Sequence, residues 1–178
     1  ISVMLTLAEH FAAIPQSQRR RNIIFVGTAG HHVGSPGSRW MHENRDTALE
    51  DAVLMINCEH VSVKQTVYWG PEMRMTDIPS PRRWWVNGSN QLIDLVLDSY
   101  QEFGVSVWDH MEGRAAGEMG SVALDLPSVQ IIRSPEIKHT HMDIPEWVPE
   151  VGLESVARAF ARIIDQANKL DRSELRPM

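Results

Sequence analysis

The stretch Asn22–Trp40, NIIFVGTAGHHVGSPGSRW, constrains the fold more than any other part of the chain. It begins with an apolar, largely β-branched run, Ile23-Ile24-Phe25-Val26, set between the basic cluster Arg19-Arg20-Arg21 and a group of glycines. A run of that length and composition predicts a buried strand. The run breaks at Gly27 and Gly30 and presents His31 and His32 side by side. Gly34, Pro36 and Gly37 follow, and a helix is expected from near Ser38. A strand that ends in paired imidazoles, in a loop ahead of a helix, is where an open α/β sheet places its ligands. The same residues also read as a glycine-rich turn with two surface histidines, and local sequence does not choose between the two.

The remaining pattern supplies the partners such a strand needs. Ser2 to Ile14 carries apolar residues at helical spacing (Met4, Leu5, Leu7, Ala8, Phe11, Ala12) and is closed by Pro15. Ala52–Asn57 is a second apolar run of buried-strand type, ending in Cys58-Glu59-His60. Val61 to Trp69 alternates loosely and predicts another strand, whereas the proline-rich, charged stretch from Gly70 to Arg83 reads as a long surface loop. Trp84-Trp85-Val86 predicts a short strand. Asn87-Gly88-Ser89-Asn90 predicts a capping turn, and Gln91 to Phe103 a helix stopped by Gly104. Val105 to Trp108 predicts a strand, Asp109 to Gly120 a polar loop, and Val129–Ile132 the last strand. A histidine-rich loop, Lys138 to Asp143, precedes a long amphipathic helix from Gly152 to Leu170. This order of helices and strands predicts one α/β domain over residues 1–178, a sandwich with a mixed sheet.

Composition narrows the function classes. A net charge of −6 over 178 residues argues against a broad electrostatic footprint for nucleic acid. One cysteine, Cys58, rules out an intrachain disulfide and reads as a small buried hydrophobe. No apolar run approaches the length of a membrane span. The chain opens at Ile1 inside a helical pattern, so further residues upstream are expected.

Polar groups gather at the ends of the apolar runs: His31 and His32 after the first, Glu59 and His60 after the second, Glu118 in the late loop, and His139, His141 and Asp143 after the last. Imidazole and carboxylate at several strand ends are the donor types a zinc site takes. His139 and His141, two apart, point to opposite faces of an extended segment, which favours one ligand from that pair. His60 and His141 otherwise read as hydrogen-bonded loop histidines, and His10, His42 and His110 as surface or helix-face residues. Trp84, Trp85 and Trp108 read as core before they read as pocket walls.

Taken together these stretches resemble the later part of the di-zinc aminopeptidase family, which includes bacterial leucyl aminopeptidases and glutaminyl cyclases. Where family members have "FVAFDGEE" and "GLLGS", this chain has IIFVGTAGHHVGSPGSRW; where they have "NLDMIG", it has Ile56-Asn57-Cys58-Glu59-His60-Val61. Their "HTPADTPDKV" is matched by His139-Thr140-His141-Met142-Asp143-Ile144-Pro145-Glu146-Trp147-Val148, and a long helix follows in both. The resemblance implies a three-layer α/β/α sandwich of zinc-exopeptidase type with a mixed, mostly parallel sheet, lacking its N-terminal part. It implies one or two zinc ions and a peptide or small amide substrate.

Carried over by position, His139 is implied as a metal ligand, Glu59 stands at a metal-binding aspartate, and His32 at a metal-binding glutamate. His31 stands where the family has the glutamate that acts as general base. Glu118 is implied at the substrate pocket, and Asp143 as a support for the His139 loop. Two departures matter. The Glu-Glu pair is His-His here, which removes up to two negative charges beside a cationic site. The family's remaining ligands, a His-x-Asp motif and a bridging aspartate, lie upstream of the matched stretches, so either another polypeptide segment or chain supplies them, or the chain is a fragment, or it is not a working di-metal hydrolase. Two readings follow. One is a metal-dependent hydrolase of a peptide or amide bond. The other is a non-catalytic relative, a binding or structural protein that has lost the carboxylate base and part of the metal site. Family members are often secreted or periplasmic; the sequence itself leaves localisation open.

Overall fold

The computed structural model describes residues 1–123 and 126–177. The helices are α1 (Ser2–Ala13), α2 (Pro36–Glu43), α3 (Arg45–Ala48), α4 (Asn90–Glu102), α5 (Met119–Val122), α6 (Glu150–Ala167) and α7 (Arg172–Leu175). The strands are β1 (Met55–Asn57), β2 (Lys64–Trp69), β3 (Glu72–Pro79), β4 (Arg82–Asn87), β5 (Val107–His110) and β6 (Ser128–Ile132). Four strands form one mixed sheet in the order β1-β6-β4-β5. Pairings β1/β6 and β4/β5 are parallel and β4/β6 is antiparallel, so the sheet is mostly parallel, as expected. Strands β2 and β3 form a separate two-stranded ribbon.

Alternation along the strands gives the sheet two apolar faces. One face carries Ile56, Trp84, Val86, Val129 and Ile131 and packs with α1, α4, α6 and α7 into the main core. Helix α6 supplies Val156, Phe160 and Ile163 to it, all fully buried and spaced to lie along one side of the helix. Burial of each such side chain contributes about 1.5–3 kcal/mol. The opposite face carries Met55, Trp85 and Ile132 and packs with Met111, Ala115, Met119 and Ala123. Helix α4 starts where the sequence places it: the Ser89 hydroxyl accepts a hydrogen bond from the Leu92 N–H at 3.2 Å. Among the described residues, no helix is long and apolar enough to cross a membrane.

Two expectations are corrected. Ile23–Val26 is not a strand: it lies in an irregular segment, with Ile24 80% and Val26 50% exposed. Hydrophobicity and β-branching favour a strand only where a neighbouring edge accepts its backbone hydrogen bonds, and none of the described strands pairs with this run. The stretch from Gly70 to Arg83 is not a loop. Met73 and Met75 alternate with Glu72 and Arg74, and this period-two pattern forms β3 against β2. Gly70, at φ +61°, makes the tight turn with Pro71 that joins them. Proline therefore sits in the turn and at the strand end, where it costs no ladder hydrogen bond. The second apolar run is also shorter than its hydrophobicity suggests, with only Met55–Asn57 paired.

Candidate functional site

Strands β1 and β6 run parallel, so their C-terminal ends open on the same edge of the sheet. The chain leaving β1 passes Cys58 and turns at Glu59-His60, where His60 adopts a left-handed conformation at φ 45°. The chain leaving β6 runs to Lys138-His139, with His139 also left-handed at φ 65°. The two exits are tied together, since the Arg133 N–H donates to the His60 carbonyl at 3.0 Å. The buried Arg82 guanidinium holds the next residue, donating from Nε to the Val61 carbonyl at 2.7 Å. Burial pulls its pKa down to about 10, opposed by Tyr100, so it remains a cation at neutral pH.

His31 and His32 reach the same place from the first stretch. They sit in a single 3-10 turn, His31–Val33, bracketed by Gly30 and Gly34. Gly30 has φ +79°, and a Cβ there would meet the Pro36 ring at 2.6 Å, so only glycine makes this turn. The His31 and His32 rings stand edge to face, with centroids 4.7 Å apart. His32 in turn stands edge to face with His139 at 4.5 Å. On the other side, His31 Nδ1 lies 3.2 Å from Glu118 Oε1.

Glu118 is placed by a buried amide. Gln130, fully buried in the middle of β6, accepts from the Ala116 N–H at 2.8 Å and donates to the Ala116 carbonyl at 3.1 Å. Trp85 Nε1 adds a bond to the Gly113 carbonyl at 3.3 Å. The loop is therefore pinned two residues before Glu118. It is also closed on Glu59: Gly117 is left-handed at φ +59°, and a Cβ there would meet Glu59 Oε1 at 2.8 Å. The Glu59 carboxylate accepts from Asn57 Nδ2 at 3.1 Å.

Loss of solvent first, and then the balance of nearby charges, favours neutral rings at His139 and His60. His139 is held below the ordinary histidine pKa by loss of solvent, then by His32, Lys138 and His31, with Asp143 opposing. His60 is held below it by burial and by Lys138, with Glu59 and Asp143 opposing. Asp143 thus acts on His139 through charge, and the structure gives no hydrogen bond between their side chains. Burial pushes the Cys58 thiol up to about 11, which makes it an inert thiol.

The six residues to which the resemblance assigns roles therefore lie in one neighbourhood: His31, His32, His139 and Glu118 in a chain of direct contacts, with Glu59 and Asp143 at its margin. Imidazole and carboxylate fit zinc in kind. Among the described residues, however, no three histidine, cysteine or carboxylate side chains are grouped so as to hold a metal ion. His60 joins the neighbourhood, since Glu59, Asp143 and His139 all act on its charge. Trp84 and Trp85 serve the core, while Trp108 is exposed. Two residues that hold the site in place were missed in the sequence. Gln130 had a signal, as the one polar residue inside Val129–Ile132; Arg82 had none. No protein-family model, curated protein or solved structure matches the chain.

Proposed function

We propose that this chain is a metal-dependent hydrolase of the di-zinc aminopeptidase type, cleaving a peptide or small amide bond. The observation that carries the reading is the meeting of His31, His32, Glu118 and His139, brought from three separate stretches of the chain to one end of the β1/β6 pair. The apolar clusters on both faces of the sheet fit a three-layer sandwich of exopeptidase type. His32, His139 and Glu59 would hold the ion, with remaining ligands from another polypeptide segment. A zinc ion bound there would supply a Lewis acid for the scissile carbonyl and lower the pKa of water.

The chain's own residues have distinct tasks in this reading. His31 turns Nδ1 toward Glu118, which leaves Nε2 to take a proton from the attacking water and return it to the leaving amine. Glu118, implied at the substrate pocket, orients that ring, so it acts on the base as well as beside the substrate. Gln130 keeps Glu118 in reach.

The test is hydrolysis of an aminoacyl amide by the purified chain with and without added zinc. Zinc-dependent turnover that is lost in His31→Ala, with zinc binding retained, is the expected result. The absence of a three-donor group among the described residues favours a second reading, a metallopeptidase-like binding or structural protein without catalysis. Zinc binding with no turnover, or neither, would select that second reading.

A further inference from the structure

The β2–β3 ribbon has one face turned toward the protein, where Tyr68 is still 63% exposed, and one face in solvent. Tyr68 pairs with Met73 and Thr66 with Met75, so these four share a face. On that face Met73 and Met75 pack against Val63, Ile137 and Trp147, which anchors the ribbon to the body of the protein. The alternate positions form the outer face: Trp69 pairs with Glu72, and Val67 with Arg74. Trp69 is 74% exposed and Val67 43%, a large aromatic and a β-branched residue presented to water by a two-stranded ribbon. Between them sits one acid and one base, Glu72 and Arg74, joined at 2.9 Å. Among the described residues, neither ribbon strand has a second strand neighbour.

We propose that this outer face is where two copies of the chain associate about a twofold axis. A twofold contact is isologous: the same patch meets itself, so every charge on it must find its opposite on an identical surface. Glu72 and Arg74 meet that condition. Turned against a second copy, Arg74 of each ribbon faces Glu72 of the other, while Val67 and Trp69 are covered. The patch carries no net charge on a chain whose total is −6, so it is a place where two copies approach without the repulsion that the rest of the surface supplies. Four outer residues per copy bury far less than the roughly 800 Å² per partner of a standard stable interface. The association is therefore weak and concentration-dependent.

Sedimentation velocity across a concentration series tests this, with charge reversal as the probe of geometry. Wild type is expected to move from monomer to dimer as concentration rises. Glu72→Arg gives a patch with two bases and Arg74→Glu one with two acids, and each alone should weaken self-association by more than about tenfold, about 1.4 kcal/mol. An equimolar mixture of the two variants should recover wild-type dimer. Trp69→Ser should also remove the dimer, and circular dichroism unchanged from wild type would show that these exposed substitutions leave the fold intact. A chain that stays monomeric throughout would overturn the proposal. So would a dimer indifferent to the reversals, which would place the contact elsewhere. Weakened variants that do not recover on mixing would overturn the isologous pairing.

Discussion

Gln130→Leu isolates the device that holds Glu118 beside His31. Leucine is close in volume and apolar, so the substitution leaves the packing of β6 nearly unchanged while removing both hydrogen bonds to Ala116. The Ala116 N–H and carbonyl then lose their partners. Each buried group left unsatisfied costs about 1–3 kcal/mol. Ala116 is only half-buried, so water reaches part of it, and the total should lie near the lower end, about 2–3 kcal/mol. Urea unfolding would read this as a lower midpoint with an unchanged slope, and hydrogen exchange as faster loss of protection at the Ala116 amide. Gln130→Glu is the companion. It keeps an acceptor for the Ala116 N–H, loses the donor to the carbonyl and buries a charge. Its deficit should therefore shrink as pH falls and the introduced carboxyl gains a proton it can donate. A Gln130→Leu variant within about 0.5 kcal/mol of wild type, with unaltered exchange at Ala116, would refute the clamp.

The Tyr100 hydroxyl is buried with no hydrogen-bond partner among the described residues, so Tyr100→Phe should be neutral or stabilising by up to about 1 kcal/mol in urea unfolding, whereas a clear loss would mean the hydroxyl is bonded. Gly117→Ala should cost about 1–2 kcal/mol from its positive φ, plus a clash with Glu59 that disappears in a Glu59→Ala background; a double-mutant cycle with no coupling would contradict that contact. His60 and His139 both sit below the ordinary histidine pKa, so the unfolded chain takes up protons first as pH falls, and the fold loses stability from about pH 7 downward until the folded-state rings also protonate. Thermal unfolding between about pH 8 and about pH 5 should show this fall for the metal-free chain and a smaller one for His60→Asn, which tolerates the left-handed backbone; an equal fall in both would exclude His60 as a contributor.

How legible the sequence was depends on which force decides each element. The helices were legible because their apolar residues recur at helical spacing and their ends carry their own signals. Pro15 closes α1, Ser89 caps α4, and Val156, Phe160 and Ile163 mark the buried side of α6. Strand β6 was legible for the same reason, a dense apolar run bounded by turns. Ile23–Val26 misled because strand formation needs an edge elsewhere in space, which no local pattern reports. β3 was hidden by its prolines and charges, although the alternation of Met73 and Met75 was present. The site residues were legible as chemistry, histidines and carboxylates at the ends of apolar runs. Their contacts were not, because the His32–His139 approach and the Gln130 clamp depend on β6 lying beside both β1 and β4. The His31–Glu118 pairing likewise joins two loops far apart in sequence.

The proposed metal centre is tested most directly by calorimetric titration of zinc into the purified chain, repeated with His32→Ala and with His139→Ala. Proton-linked zinc binding in wild type, weakened by more than about tenfold in each variant, is the expected result. Wild type that takes up no zinc, or zinc binding that survives both substitutions, would contradict a metal centre at the meeting of His32 and His139.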